Sequence, residues 1–308
     1  MHHPRFCVKI DRNGGVFVIK IEPIAKIVRG QDGAIRNGFL FRFDSRGPCT
    51  VYRMADVLSA ADAETEVPFL SRFKLEKTEL LCPHSNAVVF GSAFAEKGDE
   101  FPLLYTNIYN NYAKAEDKRV GTLAVYRLTR DGDTFAASLV QVIAVGFVQD
   151  ATLWRSSAEK EDTRPYGNFV VDPENNILYA FTMRDAQQTT RYFAFPLPSL
   201  SDGVFDETLG VPRVVLQREQ ILRQFDCPYH HYLQGACFHD GKIYSVEGFS
   251  NSAENPPFLR IIDPKAGKQI FAEPFIPHGF HEEAELIDFC AGDCYYSDCL
   301  GNFLKITF

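Results

Sequence analysis

No stretch of this sequence stays apolar for the length of a membrane span, and its first residues, "MHHPRFCVKIDRNGG", lack the apolar core of a secretory signal. A helical membrane span is therefore excluded. A cytoplasmic location is expected, with an extracellular one left open if a leader has been removed. Basic charge is also in deficit. Lys and Arg number 32 against 40 Asp and Glu, a net charge of −8, which argues against nucleic acid as a partner. No two of the 8 cysteines are spaced as C-x-x-C, and Cys290, Cys294 and Cys299 fit no zinc pattern. The cysteines read instead as small buried hydrophobes of a reducing compartment. There is no G-x-S-x-G nucleophile turn and no glycine-rich phosphate loop. Tryptophan occurs once, at Trp154, beside the charged stretch "RSSAEKEDTRP", which reads as a solvated loop. Helical patterning is nearly absent too. Only "MADVLSAADAETEV" reads as a helix, one short piece between repeated units.

What is present is strand material in recurring units. "LQGACFHDGKIYSVEG" (233–248) has a polar start, a short apolar step, a turn at Asp240-Gly241 and an aromatic second strand. "YGNFVVDPENNILYAFTMRD" from Tyr166, "HSNAVVFGSAF" from His84 and "EEAELIDFCAGDCYYSDCLGNFLKITF" from Glu282 share that layout. Further strands follow each hairpin: "PRVVLQREQILRQF" after the Tyr166 copy, and "FLRIIDPKAGKQIFAEPF" after the Gln234 copy. Short antiparallel strands in units repeating at roughly 50–80 residues imply an all-β propeller of five blades, with six as the alternative. The last unit offers too few strands before Phe308. An N-terminal strand such as Phe6 to Ile10 is expected to complete it and close the ring. Nothing resembles a linker, so residues 1–308 read as one domain, expected as a monomer, although no motif sets the oligomeric state.

In a propeller the first strand of each unit lines a central channel, so polar residues at those starts converge. Here they are His84 and Asn86, Tyr166 and Asn168, Gln234, and Glu283 with Glu285. His231 stands in the tract "FDCPYHHYLQG" just before Gln234. Glu283 and Glu285 share a strand face, and like charges so placed raise one pKa. Hydrolysis of a glycosidic bond needs carboxylates flanking the bond, whereas the acids here all fall on one unit. A metal-assisted hydrolase or lactonase would use the same channel residues. Propeller lactonases of the regucalcin type surround an ion with Glu, Asn and Asp, and no Asp stands at a matching strand start in this reading. No metal and no cofactor are expected. His278 and His281 flank a Pro-Gly turn and read as loop residues.

The segments "HSNAVVFG", "FPLLYTNIYNN", "QGACFHDGKIYSVEG" and "EEAELIDF" resemble the inner-strand starts of uncharacterised bacterial propeller proteins. More distantly they are similar to helveticin J-like and phage receptor-binding propellers. The resemblance runs from about Cys82 to Phe308. It implies a five-bladed fold and, for the phage members, binding of a host glycan; it hands over no catalytic residue. The expectation is a protein that binds a sugar or another small polar molecule at the channel mouth. An interaction platform for another protein is the remaining alternative, and it would require a sizeable exposed apolar patch.

Overall fold

Runs of β-branched and aromatic residues punctuated by Asn-Gly, Asp-Gly and Ala-Gly pairs leave the chain little choice but tight hairpins. The computed structural model describes residues 5–10, 16–108, 121–145, 168–184 and 187–308. Their strands form five sheets arranged as a five-bladed β-propeller. Among the described residues no helix is long and apolar enough to cross a membrane.

Blade 1 is β3 (Gly33–Arg36), β4 (Phe39–Phe43), β5 (Pro48–Arg53) and β6 (Ser71–Lys74). Blade 2 is β7 (Val88–Phe90), β8 (Leu104–Ile108), β9 (Thr122–Asp131) and β10 (Thr134–Val145), extended at its outer edge by β15 (Val211–Leu216) and β14 (Val204–Asp206). Blade 3 is β11 (Phe169–Asp172), β12 (Ile177–Arg184), β13 (Thr189–Pro196) and β16 (Arg223–Pro228). Blade 4 is β17 (Leu233–His239), β18 (Lys242–Glu247), β19 (Phe258–Asp263) and β20 (Lys268–Pro274). Blade 5 joins β21 (Ala284–Cys290), β22 (Asp293–Asp298) and β23 (Asn302–Thr307) to β2 (Val16–Lys26) and β1 (Arg5–Ile10) from the other end of the chain. The inner strands β3, β7, β11, β17 and β21 pack side by side in that order, and β21 returns to β3.

Three of the inner hairpins turn the same way. Asn37-Gly38, Asp240-Gly241 and Ala291-Gly292 each hold two successive positive φ angles, 50° and 78°, 46° and 69°, and 51° and 86°. That is the two-residue turn whose twist matches the strands it joins, and glycine takes its second position at no steric cost. Between blades the core is aromatic. Phe41 of β4 meets Phe101 at 5.6 Å and 90°, and Phe135 of β10 at 5.6 Å and 80°. Edge-to-face pairs of this kind add about 0.5–1.5 kcal/mol each beyond the area they bury.

The structure departs from the sequence expectation at several points. The strand that closes the ring on β23 is β2, and Arg5–Ile10 lies one place further out, paired among the described residues only with β2. β2 is the longer strand, and the chain leaving it runs straight into blade 1. β15 does not follow β13 in its own blade. It pairs in parallel with β10, from Val142 beside Arg213 to Val145 beside Leu216, on the edge of β10 that β9 leaves free. The helix α1 (Met54–Leu58) lies between β5 and β6, inside blade 1 and not between blades. A second helical turn, α2 (Thr78–Leu81), leads from blade 1 toward blade 2. Its few residues are too short to show a period. The charged stretch 155–165, Trp154 and Tyr109–Tyr112 lie outside the described residues. Of the cysteines, Cys49, Cys227, Cys237 and Cys294 are buried, Cys290 and Cys299 half-buried and Cys82 exposed, and all of these are free thiols.

Candidate functional site

The inner strands all begin at one mouth of the channel, and each carries a polar residue there. Asp32 precedes β3, Asn86 precedes β7, Asn168 precedes β11, Gln234 lies in β17 and Glu285 in β21. All are buried. Their bonds pass from blade to blade. Asp32 accepts from the Val88 amide at 2.7 Å. Asn168 Nδ2 donates to the Gln234 carbonyl at 3.2 Å, and Gln234 Nε2 donates to Glu283 Oε1 at 2.6 Å. Gln31 Nε2 donates to Glu285 Oε1 at 3.3 Å, closing the ring onto blade 1. Asn86 is held by a reciprocal pair with Asn107 and reaches across to the Leu233 carbonyl of blade 4 at 3.5 Å. The channel is that narrow here.

Gly235 explains how the strands come so close. A Cβ at this position would collide with the Glu285 carbonyl oxygen and stand 2.8 Å from Asp32 Oδ1. Arg42, on β4, is fully buried behind the ring. One of its nitrogens, Nη2, donates to the carbonyls of Gly30 at 2.8 Å and Asp298 at 2.7 Å. Burial holds the guanidinium below its usual pKa, against the pull of Glu285, Asp32 and Asp298. Burial pushes the carboxyls of Asp32 and Glu285 well above the usual range, and Glu283 adds to the effect on Glu285. Glu283 is half-buried and raised by burial despite its bond from Gln234. Three buried acceptors from three blades have no hydrogen-bond partner among the described residues: Asp32 Oδ1, Asn168 Oδ1 and Glu285 Oε2.

The residues singled out from the sequence divide accordingly. Asn86, Asn168, Gln234, Glu283 and Glu285 meet in one ring. His84 sits two residues before Asn86, half-buried, with burial lowering its pKa. His231 is exposed, its ring against Tyr229 at 4.9 Å, and stands outside the ring. Tyr166 lies outside the described residues. The sequence reading missed Asp32, although "DGAIRNGF" has the layout of "QGACFHDGK", with Gly33 matching Gly235. It also left out Phe249, which follows β18 and packs at 4.0 Å against Tyr232, just before the Gln234 strand, as an exposed aromatic pair. Beside them Ser250 Oγ accepts from the Glu283 amide at 2.7 Å.

His230, next to the exposed His231, is buried in a separate network between blades 3 and 4. Its Nε2 lies 2.9 Å from the Tyr192 hydroxyl and its Nδ1 2.9 Å from Glu247 Oε2. Arg260 donates to Glu247 Oε1 from Nε at 3.0 Å and from Nη2 at 2.7 Å. No member is positioned to meet solvent-borne substrate, and the network reads as a staple between blades. His278 lies in a short 3-10 turn, buried with its Nε2 3.0 Å from Glu273 Oε1. Among the described residues no group of His, Cys, Asp and Glu is set to hold a metal ion. An apolar groove of about 570 Å³ runs beside β14 and β15, where Val204 and Phe205 are exposed.

No protein-family model matches the chain, and no curated protein sequence matches it. Among solved structures the chain is similar to the computationally designed Ika8 protein, at 9% identity and a TM-score of 0.36, over 93% of this chain and 99% of that one. It is similar to a chain of the mitotic checkpoint complex, at 10% identity and a TM-score of 0.37, over 96% of this chain and 63% of that one. A chain of the nidogen/laminin complex matches at 12% identity and a TM-score of 0.38, over 94% of this chain and 80% of that one.

Proposed function

We propose that the protein is a ligand-binding propeller, one domain over 1–308, that takes a sugar or another small hydroxyl-rich molecule at the mouth where the inner strands begin. The observation that carries this is the set of acceptors left without donors, Asp32 Oδ1, Asn168 Oδ1 and Glu285 Oε2. Buried acceptors cost free energy unless a donor reaches them. A hydroxyl, or the water it orders, supplies one. The exposed Tyr232–Phe249 pair, next in the chain to Leu233 and to the Ser250 that accepts from the Glu283 amide, offers apolar ring surface for a sugar to pack against. The likeness of the inner-strand motifs to phage receptor-binding propellers supports a glycan. A glycan array with the labelled protein, followed by titration of the best-retained free sugar, tests the reading. Glu283→Gln and Tyr232→Ala should each weaken binding at least tenfold and leave the thermal midpoint nearly unchanged, since both side chains reach solvent. An array that retains nothing, or variants that bind like wild type, would overturn it.

One observation favours a second reading, a metal-assisted lactonase. Asp32 supplies the aspartate that the strand starts lacked in sequence, beside Asn86, Asn168 and Glu285. Arg42 draws both carboxyls down from within the protein, but burial outweighs it. A rise in thermal midpoint on adding Ca²⁺ or Mn²⁺, absent in Asp32→Asn, would favour the metal site.

A further inference from the structure

The far mouth of the channel holds a separate cavity of about 210 Å³, lined by the last residues of all five inner strands. That is room for about seven waters, or for one small organic molecule, and it is below the size of a drug-like pocket. It lies at the opposite end of β3 from Asp32, about 13 Å along the strand. Three phenyl rings wall it, Phe90, Phe238 and Phe289, and each keeps a partly open face. Two are fixed in orientation. Phe289 stacks on His239 at 3.9 Å and 10°, and Phe238 on Tyr179 at 6.2 Å and 8°.

Charges of both signs converge on the same space. Arg36 arrives from β3, Asp288 from β21, and Glu174 stands exposed at the rim. Arg36 and Asp288 lie within electrostatic reach of each other but are not bonded. The Asp288 oxygens are engaged by backbone amides instead, Oδ2 by Ile35 at 2.6 Å and Oδ1 by Phe289 at 2.8 Å. Arg36 Nε is consequently buried with no acceptor among the described residues. A guanidinium fork without its acceptor fits a carboxylate with two parallel bonds. Fixed carboxylates and open phenyl faces attract an ammonium. A ligand of one sign would satisfy one half of this lining and be repelled by the other.

We propose that this cavity is a second ligand site, and that it takes a free α-amino acid or a zwitterion of that size. The carboxylate sits on Arg36, the ammonium faces Asp288 and Glu174, and the side chain lies against the phenyl walls. Calorimetric titration with L-leucine, L-phenylalanine, acetate and methylammonium at neutral pH tests it. At least one of the two amino acids should saturate the protein, with acetate and methylammonium each at least tenfold weaker. Arg36→Met should weaken the amino acid at least tenfold, and Asp288→Asn several-fold. Glu283→Gln, at the other mouth, should leave it unchanged, so this site and the sugar site fail or succeed separately. Should Arg36→Met not fold, Arg36→Lys keeps the charge, loses the fork, and is expected to weaken binding in the same direction. Neither amino acid saturating the protein up to the millimolar range, acetate binding as well as either, or Arg36 variants binding like wild type would each overturn the proposal.

Discussion

Gly235 and Gly241 belong to one hairpin, yet alanine would act differently at each. At Gly241 the added methyl meets open space, and only the positive φ of 69° penalises it. At Gly235 φ is unremarkable and the methyl strikes the Glu285 carbonyl and the Asp32 carboxyl across the channel. Gly241→Ala should cost about 1 kcal/mol of conformational strain. Gly235→Ala should cost about 3 kcal/mol, because the inner strands must separate to admit it. Chemical denaturation of both variants measures the difference, and equal losses would mean that the inner strands are not tightly packed at the ring. The same residues show what sequence could and could not reveal. Asn86, Asn168, Gln234 and Glu285 were legible because a short apolar step follows each of them. Asp32 was not, because "VRGQDG" looks like a turn and the step after it, "GAIR", reaches a charged residue at once. Arg42 was invisible for another reason. It sits mid-strand in "FLFRF", where alternation assigns an arginine to solvent, and only the third dimension shows that β4 is buried along its whole length.

Among the elements, hairpins were legible and the routes between sheets were not. Turn residues announce a hairpin locally, so β11–β12, β17–β18, β19–β20 and β21–β22 fall where their turns predict. A strand that leaves its own blade carries no local mark. β15 reads like any short apolar strand, and its place depends on the outer edge of β10 at Val142–Val145, far away in sequence. The closing strand is ambiguous for the same reason, since β1 and β2 are both apolar and β-branched. Their unequal roles give a prediction. Among the described residues β1 pairs with β2 alone and otherwise touches the short turn Ile276–His278, whereas β2 supplies the fourth strand that joins the two ends of the chain. A variant beginning at residue 11 should fold with a modestly lower thermal midpoint. One beginning at residue 27 should lose the cooperative transition or aggregate through the exposed edge of β23. Cooperative melting of the shorter chain near the wild-type midpoint would show that the ring does not need this strand.

At the scale of the whole molecule, a channel packed with buried ionisable groups ties stability to pH from both sides. Burial raises the pKa of Asp32, Glu285 and Asp298, and raises Asp288 to about 6. A carboxyl that binds its proton more tightly when folded stabilises the fold below its unfolded pKa, 3.8 for Asp288, and loses that contribution as pH climbs through the folded value. His230 works the other way. Burial holds it below its ordinary 6.5, against the pull of Glu247, so its contribution is present above 6.5 and lost as pH falls. In Glu247, burial acts to raise the pKa, but His230 and Arg260 outweigh it and hold the group low, so it too weakens the fold on acidification. The two kinds of group oppose one another across mildly acidic pH. Asp288→Asn removes one group whose contribution falls away between pH 3.8 and about 6. Melting curves at half-unit steps from pH 4 to pH 8 should show the midpoint of that variant, relative to wild type, rise from pH 4 to pH 6 and run parallel to wild type above pH 7. A variant profile parallel to wild type across the whole range would mean that Asp288 is solvated in the folded protein, and the far-mouth cavity would then be an open, water-filled cleft without the screened charges that an amino acid would need.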